Sequence, residues 1–294
     1  MVHIADPAAG MAASPSTPAA AATDASPKAA GGALEHELSS GTWVIDLDGV
    51  IWLTGHAIEG APEAVDRLRR AGISVLFATN NADPTRSELL GRLRRIGIDA
   101  TAQTVVSSAD AAASLLDPGS TALTLGGPGV DEALADRQVR VLCASDPDGP
   151  LDGIDAVIVG LTSRFDYDTL SRAATAVRAG ARLVGTNDDP THPTPRGLLP
   201  GSGALVAAVA TAAGVEAVVA GKPYQPMVEL LQARAAGITV VVGDRPATDG
   251  RLAARLGVPF ALVRSGVSAP GDPVDPAADL DHEDLASLVD AVLR

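Results

Sequence analysis

Four short segments bring chemistry-bearing side chains to the ends of apolar runs. In VIDLDGV (44–50), a Val/Ile run ends on Asp46, and Asp48 follows two residues later with Gly49 behind it. Side chains at i and i+2 of an extended backbone share a face, so the two carboxylates can share one cation or divide nucleophilic and acid work. In FATNNADPT (77–85), Thr79, Asn80 and Asn81 offer a hydroxyl and two amides near a helix entry marked by Asp83 and Pro84. Such a set suits an oxyanion. In AGKPYQP (220–226), Lys222 is one of only two lysines in the chain, the other being Lys28. Its compact ammonium is a natural partner for a transferring phosphoryl group. In VVVGDRPATDG (240–250), Asp244 closes an apolar run and Asp249 follows, with Arg245 reading as a salt-bridge partner. One carboxylate there can ligate a divalent cation while the other holds a water or orients a ligand. Taken singly, these are equally the marks of an Asp-Gly turn, a helix entry and a surface lysine. Their common placement at strand ends decides. Four gathered carboxylates repel unless a cation neutralises them. Without a Cys/His cluster of zinc spacing, Mg2+ with a phosphoryl group fits best.

Positioning these groups requires strands whose C-terminal ends meet. ISVLFA (73–78) is a continuous apolar run, the pattern of a strand covered on both faces. A helix is predicted over 62–71, with Pro62 in its first turn and Gly72 as stop. After the strand, Asp83 as N-cap and Pro84 open a helix with Leu89, Leu90, Leu93 and Ile96 on one face and Gly97 as stop. The alternation returns as a strand at 218–220, a helix at 225–236 and a strand at 238–243, then a helix at 252–256, a strand at 258–263 and a last helix at 283–293. Such alternation makes right-handed crossovers in a parallel sheet that binds ligands at its C-terminal edge. Between the halves, TALTL (121–125), VRVL (139–142), IDAVIV (154–159) and RLVG (182–185) read as strands, with helices at 167–179 and 202–213. This middle looks less simply parallel. The expected fold class is α/β, with a discontinuous parallel-sheet core over 39–118 and 215–294 and an inserted α/β unit over 119–214.

Composition narrows the function classes. Of 294 residues, 46% are hydrophobic but only 2% aromatic, so the core must come mainly from Leu, Val and Ile. The 30 glycines and 21 prolines exclude a long fibrous or coiled-coil protein. A formal charge of -14 opposes a phosphate backbone, which argues against nucleic-acid partners but leaves room for a small anion. The single cysteine, Cys143, lies in a strand-like run, in keeping with a reducing cytoplasmic setting. Residues 1–38 read as a disordered tail without a catalytic part and without a basic-then-apolar leader. The alanine-rich stretch 204–219 is too weakly apolar for a membrane span. The expected partner is therefore a small phosphate ester rather than a nucleic acid or a membrane, with a homodimer left open. A nicotinamide-binding oxidoreductase is set aside, because GGPG (126–129) lacks both the dinucleotide spacing and the acidic ribose contact.

In order, DLDGV, TNN, GKP and GDRPATD resemble the motifs of the haloacid dehalogenase superfamily, over about residues 42–268. The large insertion between the second and third resembles the NagD-like subgroup of phosphatases, which act on 4-nitrophenyl phosphate, phosphoglycolate, pyridoxal phosphate or glycerol 3-phosphate. The resemblance implies a Rossmann-like core, a cap made by the insertion, and Mg2+-dependent phosphomonoester hydrolysis. It implies that Asp46 attacks phosphorus to form an aspartyl-phosphate, and that Asp48 protonates the leaving alcohol and then activates water. Thr79, with backbone N–H groups around Asn80 and Asn81, would hold the transferring group, and Lys222 would tie Asp46 to it. Mg2+ would be held by Asp46, the Asp48 carbonyl and Asp244, with Asp249 behind them. Asn187, Asp188 and His192 of GTNDDPTHP (185–193), and Arg164, are candidates for recognising the alcohol. Val50 matches the subgroup. Ala247 stands where many relatives carry an acidic or amide residue, which implies a tuned metal environment. Trp43 is expected in the core and Trp52 at the entrance wall. The Ala/Gly/Arg-rich composition suggests a high-GC bacterium, and the chain resembles the glycerol 3-phosphate phosphatases of this subgroup there, which implies glycerol 3-phosphate as substrate, with phosphoglycolate and 4-nitrophenyl phosphate as rivals. The rival class is a non-catalytic phosphometabolite-binding module, against which the presence of both Asp46 and Asp48 argues.

Overall fold

The computed structural model describes residues 34, 36–194 and 197–294. In chain order the first elements are β1 (Thr42–Ile45), a hairpin of β2 (Trp52–Leu53) and β3 (His56–Ala57), α1 (Ala61–Arg70), β4 (Ser74–Thr79), α2 (Arg86–Arg95), β5 (Val105–Ser107) and α3 (Ser108–Ala113). The middle contains β6 (Thr121–Leu125), α4 (Pro128–Asp136), β7 (Arg140–Cys143), β8 (Ala156–Val159), α5 (Tyr167–Arg178), β9 (Arg182–Gly185), β10 (Thr191–Thr194), β11 (Gly197–Pro200) and α6 (Ser202–Ala213). The last part contains β12 (Val218–Val219), α7 (Gln225–Arg234), β13 (Ile238–Gly243), a π-helical turn (Pro246–Gly250), α8 (Arg251–Leu256), β14 (Phe260–Val263), β15 (Leu280–His282) and α9 (Leu285–Val292).

Six of these strands form one sheet in the order β15-β14-β13-β1-β4-β5, with every pairing parallel. Its strands are apolar on both sides because both sides are covered. On one face Trp43, Ile45, Phe77 and Val242 pack with Val65, Leu68, Leu89, Leu93, Leu285 and Leu288. On the other, Val44, Leu76, Val241 and Leu262 pack with Met227, Leu231 and Leu252, and also with Val130, Leu134, Ile158 and Val184. The middle of the chain thus shares a hydrophobic core with the first sheet.

That middle forms a second sheet in the order β12-β9-β8-β6-β7, which is parallel throughout, contrary to the expectation of a less regular unit. β12 was expected in the first sheet, but Val218–Val219 pairs with Val184–Gly185 of β9, so the second sheet continues past residue 214. The antiparallel pair β10–β11, which the local sequence did not announce, projects between β9 and α6. Helix α2 begins two residues later than expected: Thr85, not Asp83, is its N-cap, in a capping box with Glu88. Asp83 has another task. Its carbonyl accepts a hydrogen bond from Gly129 N at 2.9 Å, and a Cβ on Gly129 would stand 2.2 Å from the Pro84 carbonyl oxygen. GGPG is therefore a close-approach segment that seats α4 on the loop after β4.

The expectation of a disordered tail falls mostly on residues outside those described. Its boundary at 38 is too late. Leu38 is buried, Leu34 packs against the first core, and the Trp43 indole donates to the Leu38 carbonyl at 2.9 Å. Among the described residues, no helix is long and apolar enough to cross a membrane.

Candidate active site

The C-terminal ends of β1, β4 and β13 lie side by side, because β1 pairs with both neighbours in parallel register. They deliver Asp46, Thr79 and Asp244 to one edge. Lys222 comes from elsewhere, from the loop after β12 at the rim of the second sheet. A side-chain amide fixes that approach. Asn80 Oδ1 accepts from Lys222 N at 2.7 Å, and Asn80 Nδ2 donates to the Lys222 carbonyl at 3.1 Å. Asn80 therefore clamps the lysine backbone, a role the sequence did not disclose.

Lys222 is buried, and its ammonium lies 2.8 Å from Asp46 Oδ1 and 2.7 Å from Asp249 Oδ1. Burial alone would pull its pKa down, but the carboxylates of Asp249 and Asp46 outweigh this and raise it. Asp46 Oδ1 also accepts the Leu47 N–H at 2.7 Å, which leaves Oδ2 for the substrate side. Burial raises the Asp46 pKa well above the usual carboxylate range against the pull of Lys222, and Asp249, Asp244 and Asp48 push it the same way.

Asp46, Asp244 and Asp249 offer carboxylate oxygens within 4.8 Å of one another. Asp244 Oδ2 accepts Val267 N at 2.6 Å, while the buried Oδ1 has no hydrogen-bond partner among the described residues. Gly49 is needed here: its φ is +87°, and a Cβ would fall 2.3 Å from Asp244 Oδ2. Asp249 has both oxygens engaged, by Lys222 and by the Arg245 N–H at 3.2 Å. Three buried carboxylates against one ammonium leave two negative charges, and one of their buried oxygens, Asp244 Oδ1, is without a partner among the described residues. A divalent, oxygen-liking cation fits this set. Burial first, then Asp249, pushes the Asp244 pKa up to about 6. Cation binding must therefore displace a proton as pH falls, so apparent Mg2+ affinity should drop below about pH 6, by up to about tenfold per unit. Titration calorimetry at about pH 5 and about pH 7 checks this, and equal affinities at both would refute it.

A cavity of about 180 Å³ opens above these groups, lined on one side by Asp46, Asp48, Thr79 and Lys222 and on the other by Asn187, Asp189 and His192. Not every candidate reaches it. Asp188 instead accepts a hydrogen bond from the Tyr224 hydroxyl, and Arg164 is exposed and outside the lining. Asn187 borders the cavity, but its amide is occupied: Nδ2 donates to the Asn80 carbonyl at 2.8 Å and to Ser202 Oγ at 3.3 Å, and Oδ1 accepts Asp189 N at 3.1 Å. It anchors the segment. Asp189, not singled out from the sequence, lines the cavity 3.6 Å from Arg245 Nη1. His192 stands on the β10–β11 hairpin with Nδ1 against the Pro200 carbonyl at 3.1 Å. Asn81 caps the turn by accepting Asp83 N at 3.1 Å. Ala247 is exposed and lines neither the cavity nor the carboxylate group, so its departure from the motif leaves the acidic cluster intact. Trp52 does not wall this cavity: it is buried, and its indole N–H donates to Asp48 Oδ1 at 2.9 Å.

Comparison with known proteins decides the family. A haloacid dehalogenase-like hydrolase model matches residues 43–140, and a HAD-hydrolase-like model matches 219–291. The acid sugar phosphatase of Staphylococcus aureus is 34% identical over 233 residues, covering 77% of this chain and 87% of that protein. The chain belongs to the haloacid dehalogenase-like hydrolases. It is a phosphatase of that family. The D-glycerol 3-phosphate phosphatase of Mycobacterium tuberculosis is 38% identical over 238 residues, 79% of this chain, and the match spans 65% of that relative's length. A crystal structure of glycerol phosphate phosphatase from Mycobacterium tuberculosis in complex with magnesium superposes with a TM-score of 0.73 at 35% identity, covering 87% of this chain and 77% of that one.

Proposed function

We propose that this chain is a Mg2+-dependent phosphomonoester hydrolase that works through a phosphorylated Asp46, with glycerol 3-phosphate as its substrate. One observation carries the reaction class: a buried carboxylate has one oxygen fixed by Lys222 and a backbone N–H and the other left toward a cavity. Asp46 Oδ2 forms the new bond to phosphorus while the bond from phosphorus to the alcohol oxygen breaks. Asp48 gives that oxygen its proton. In the second half, Asp48 takes a proton from water as the water oxygen attacks phosphorus and Asp46 leaves. Lys222 offsets charge on the transferring group and keeps Asp46 aimed, while Asp249 holds Lys222. Asp46, Asp244 and the Asp48 carbonyl would hold Mg2+, which supplies charge neutralisation for the phosphoryl oxygens.

The inserted unit then acts as the cap that contacts the alcohol. Support for glycerol 3-phosphate comes from the 38% identical relative and from the cavity itself. Arg245 is engaged by Asp189, so the far side offers hydroxyl-matching groups such as Thr191, Ser202 and Thr248 rather than an unpaired cation for a carboxylate. A phosphate-release screen over small phosphomonoesters, with and without Mg2+, tests the proposal. Glycerol 3-phosphate should show the highest kcat/KM and chelation should abolish release. A preference for phosphoglycolate would overturn the substrate, and undiminished release without divalent ions would overturn the mechanism.

A further inference from the structure

We propose that Trp52 is the positioning residue for Asp48, fixing which carboxylate oxygen handles the proton; this rests on the acid–base role given to Asp48 above. Unlike Asp46, Asp48 is exposed, so burial does not hold its rotamer. Two donors meet it: the Trp52 indole N–H reaches Oδ1 at 2.9 Å, and the Thr79 hydroxyl makes a longer contact to Oδ2 at 3.4 Å. An indole N–H only donates, so it cannot exchange the proton itself. It occupies Oδ1 and leaves Oδ2 to pass a proton to the alcohol oxygen as that oxygen leaves phosphorus, and to regain one from water.

The ring is well placed for this duty. Ile51 N and Trp52 N both bond to the Leu47 carbonyl, at 2.9 and 3.1 Å, and Gly49 N bonds back to the Trp52 carbonyl at 2.7 Å. This tight loop carries the indole onto Asp48, and only 5% of Trp52 is exposed. There is also something to hold the carboxylate against. Asp48 also lines a second cavity of about 260 Å³ that contains Arg92 and Arg95, opposite charges toward which an unheld carboxylate would turn.

Trp52→Phe keeps the packing and removes the donor. The readout is kcat/KM, which reports steps up to departure of the alcohol, for the best alkyl phosphate and for 4-nitrophenyl phosphate, whose leaving group needs little protonation. The alkyl value should fall by about tenfold or more and the nitrophenyl value by about threefold or less. The ratio of the two does not depend on how much enzyme is folded, so reduced stability of the variant does not blur it. Asp48→Asn, run in parallel, should show the same imbalance more strongly. If Trp52→Phe lowers both substrates equally, or neither, while Asp48→Asn remains unbalanced, the inference about Trp52 fails and the role of Asp48 stands. If Asp48→Asn is itself balanced, the acid–base assignment fails, and this inference with it.

Discussion

Asp46→Asn should abolish turnover and leave no phosphorylated enzyme, with the fold retained. The substitution preserves the shape of the side chain and an oxygen that can accept the Leu47 N–H and face Lys222, both of which lie within 2.8 Å of Asp46 Oδ1. It removes the anionic oxygen that attacks phosphorus. Removing a covalent nucleophile elsewhere lowers kcat by about 10⁴-fold or more, and the same scale applies here. Two measurements check it: steady-state phosphate release, and acid-quenched trapping of labelled phosphate on the protein. Asp48→Asn keeps the nucleophile, so labelled phosphate trapped in that variant should sit on Asp46. A phosphorylated residue other than Asp46, or steady-state activity retained in Asp46→Asn, would overturn the covalent mechanism. The substitution also lowers the number of carboxylates crowded around the acidic cluster, so a drop in thermal stability is not expected from repulsion.

What the sequence disclosed follows from where its information is local. Asp46, Thr79 and Asp244 each end an apolar run, and a parallel sheet brings such ends to one edge, so their meeting was readable from strand pattern alone. Lys222 was readable as a residue but not as a partner of a different sheet. Val218–Val219 is only two residues long, and its pairing with β9 is settled by tertiary packing rather than by its own composition. The helix start at Thr85 was missed for a related reason. Asp-Pro is a strong local start signal, but the Asp83 carbonyl is committed to Gly129, and the reciprocal bonds of Thr85 and Glu88 define the cap instead. On the substrate side, neighbouring residues of one loop divide the work: Asp188 turns to Tyr224, and Asp189 turns into the cavity beside Arg245. No periodicity tells two adjacent aspartates in a loop apart. Asn80 and Asn187 carried a second ambiguity. A buried amide can bind a ligand or bind backbone, and here their hydrogen bonds to Lys222 and to the Asn80 carbonyl choose the backbone.

Lys222→Met should cost both stability and turnover, and the two losses should respond differently to pH and to Mg2+. Lys222 is buried between Asp46 and Asp249, so methionine of similar length removes charge more than volume. Breaking a buried ion pair from one side typically costs about 3–5 kcal/mol, because the carboxylates stay behind uncompensated. Carboxyl groups left without their cation hold protons more tightly in the folded than in the unfolded protein, as Asp46 already does through burial. A group whose folded pKa is raised binds more protons when folded, so stability increases as pH falls through that range. The deficit of the metal-free variant relative to the parent should therefore be largest near about pH 7 and shrink toward about pH 5. Mg2+ binds only the folded cluster and should restore part of the stability at neutral pH by mass action. It should not restore turnover, which needs the ammonium beside the transferring group; a loss of about 10²–10³-fold in kcat is expected from removing one preorganised charge partner. Urea denaturation of parent and variant at the two pH values, with and without Mg2+, reads the first effect, and phosphate release reads the second. A stability deficit independent of pH would mean that Lys222 supports the fold by packing rather than by charge, and turnover rescued by Mg2+ alone would remove Lys222 from the reacting groups.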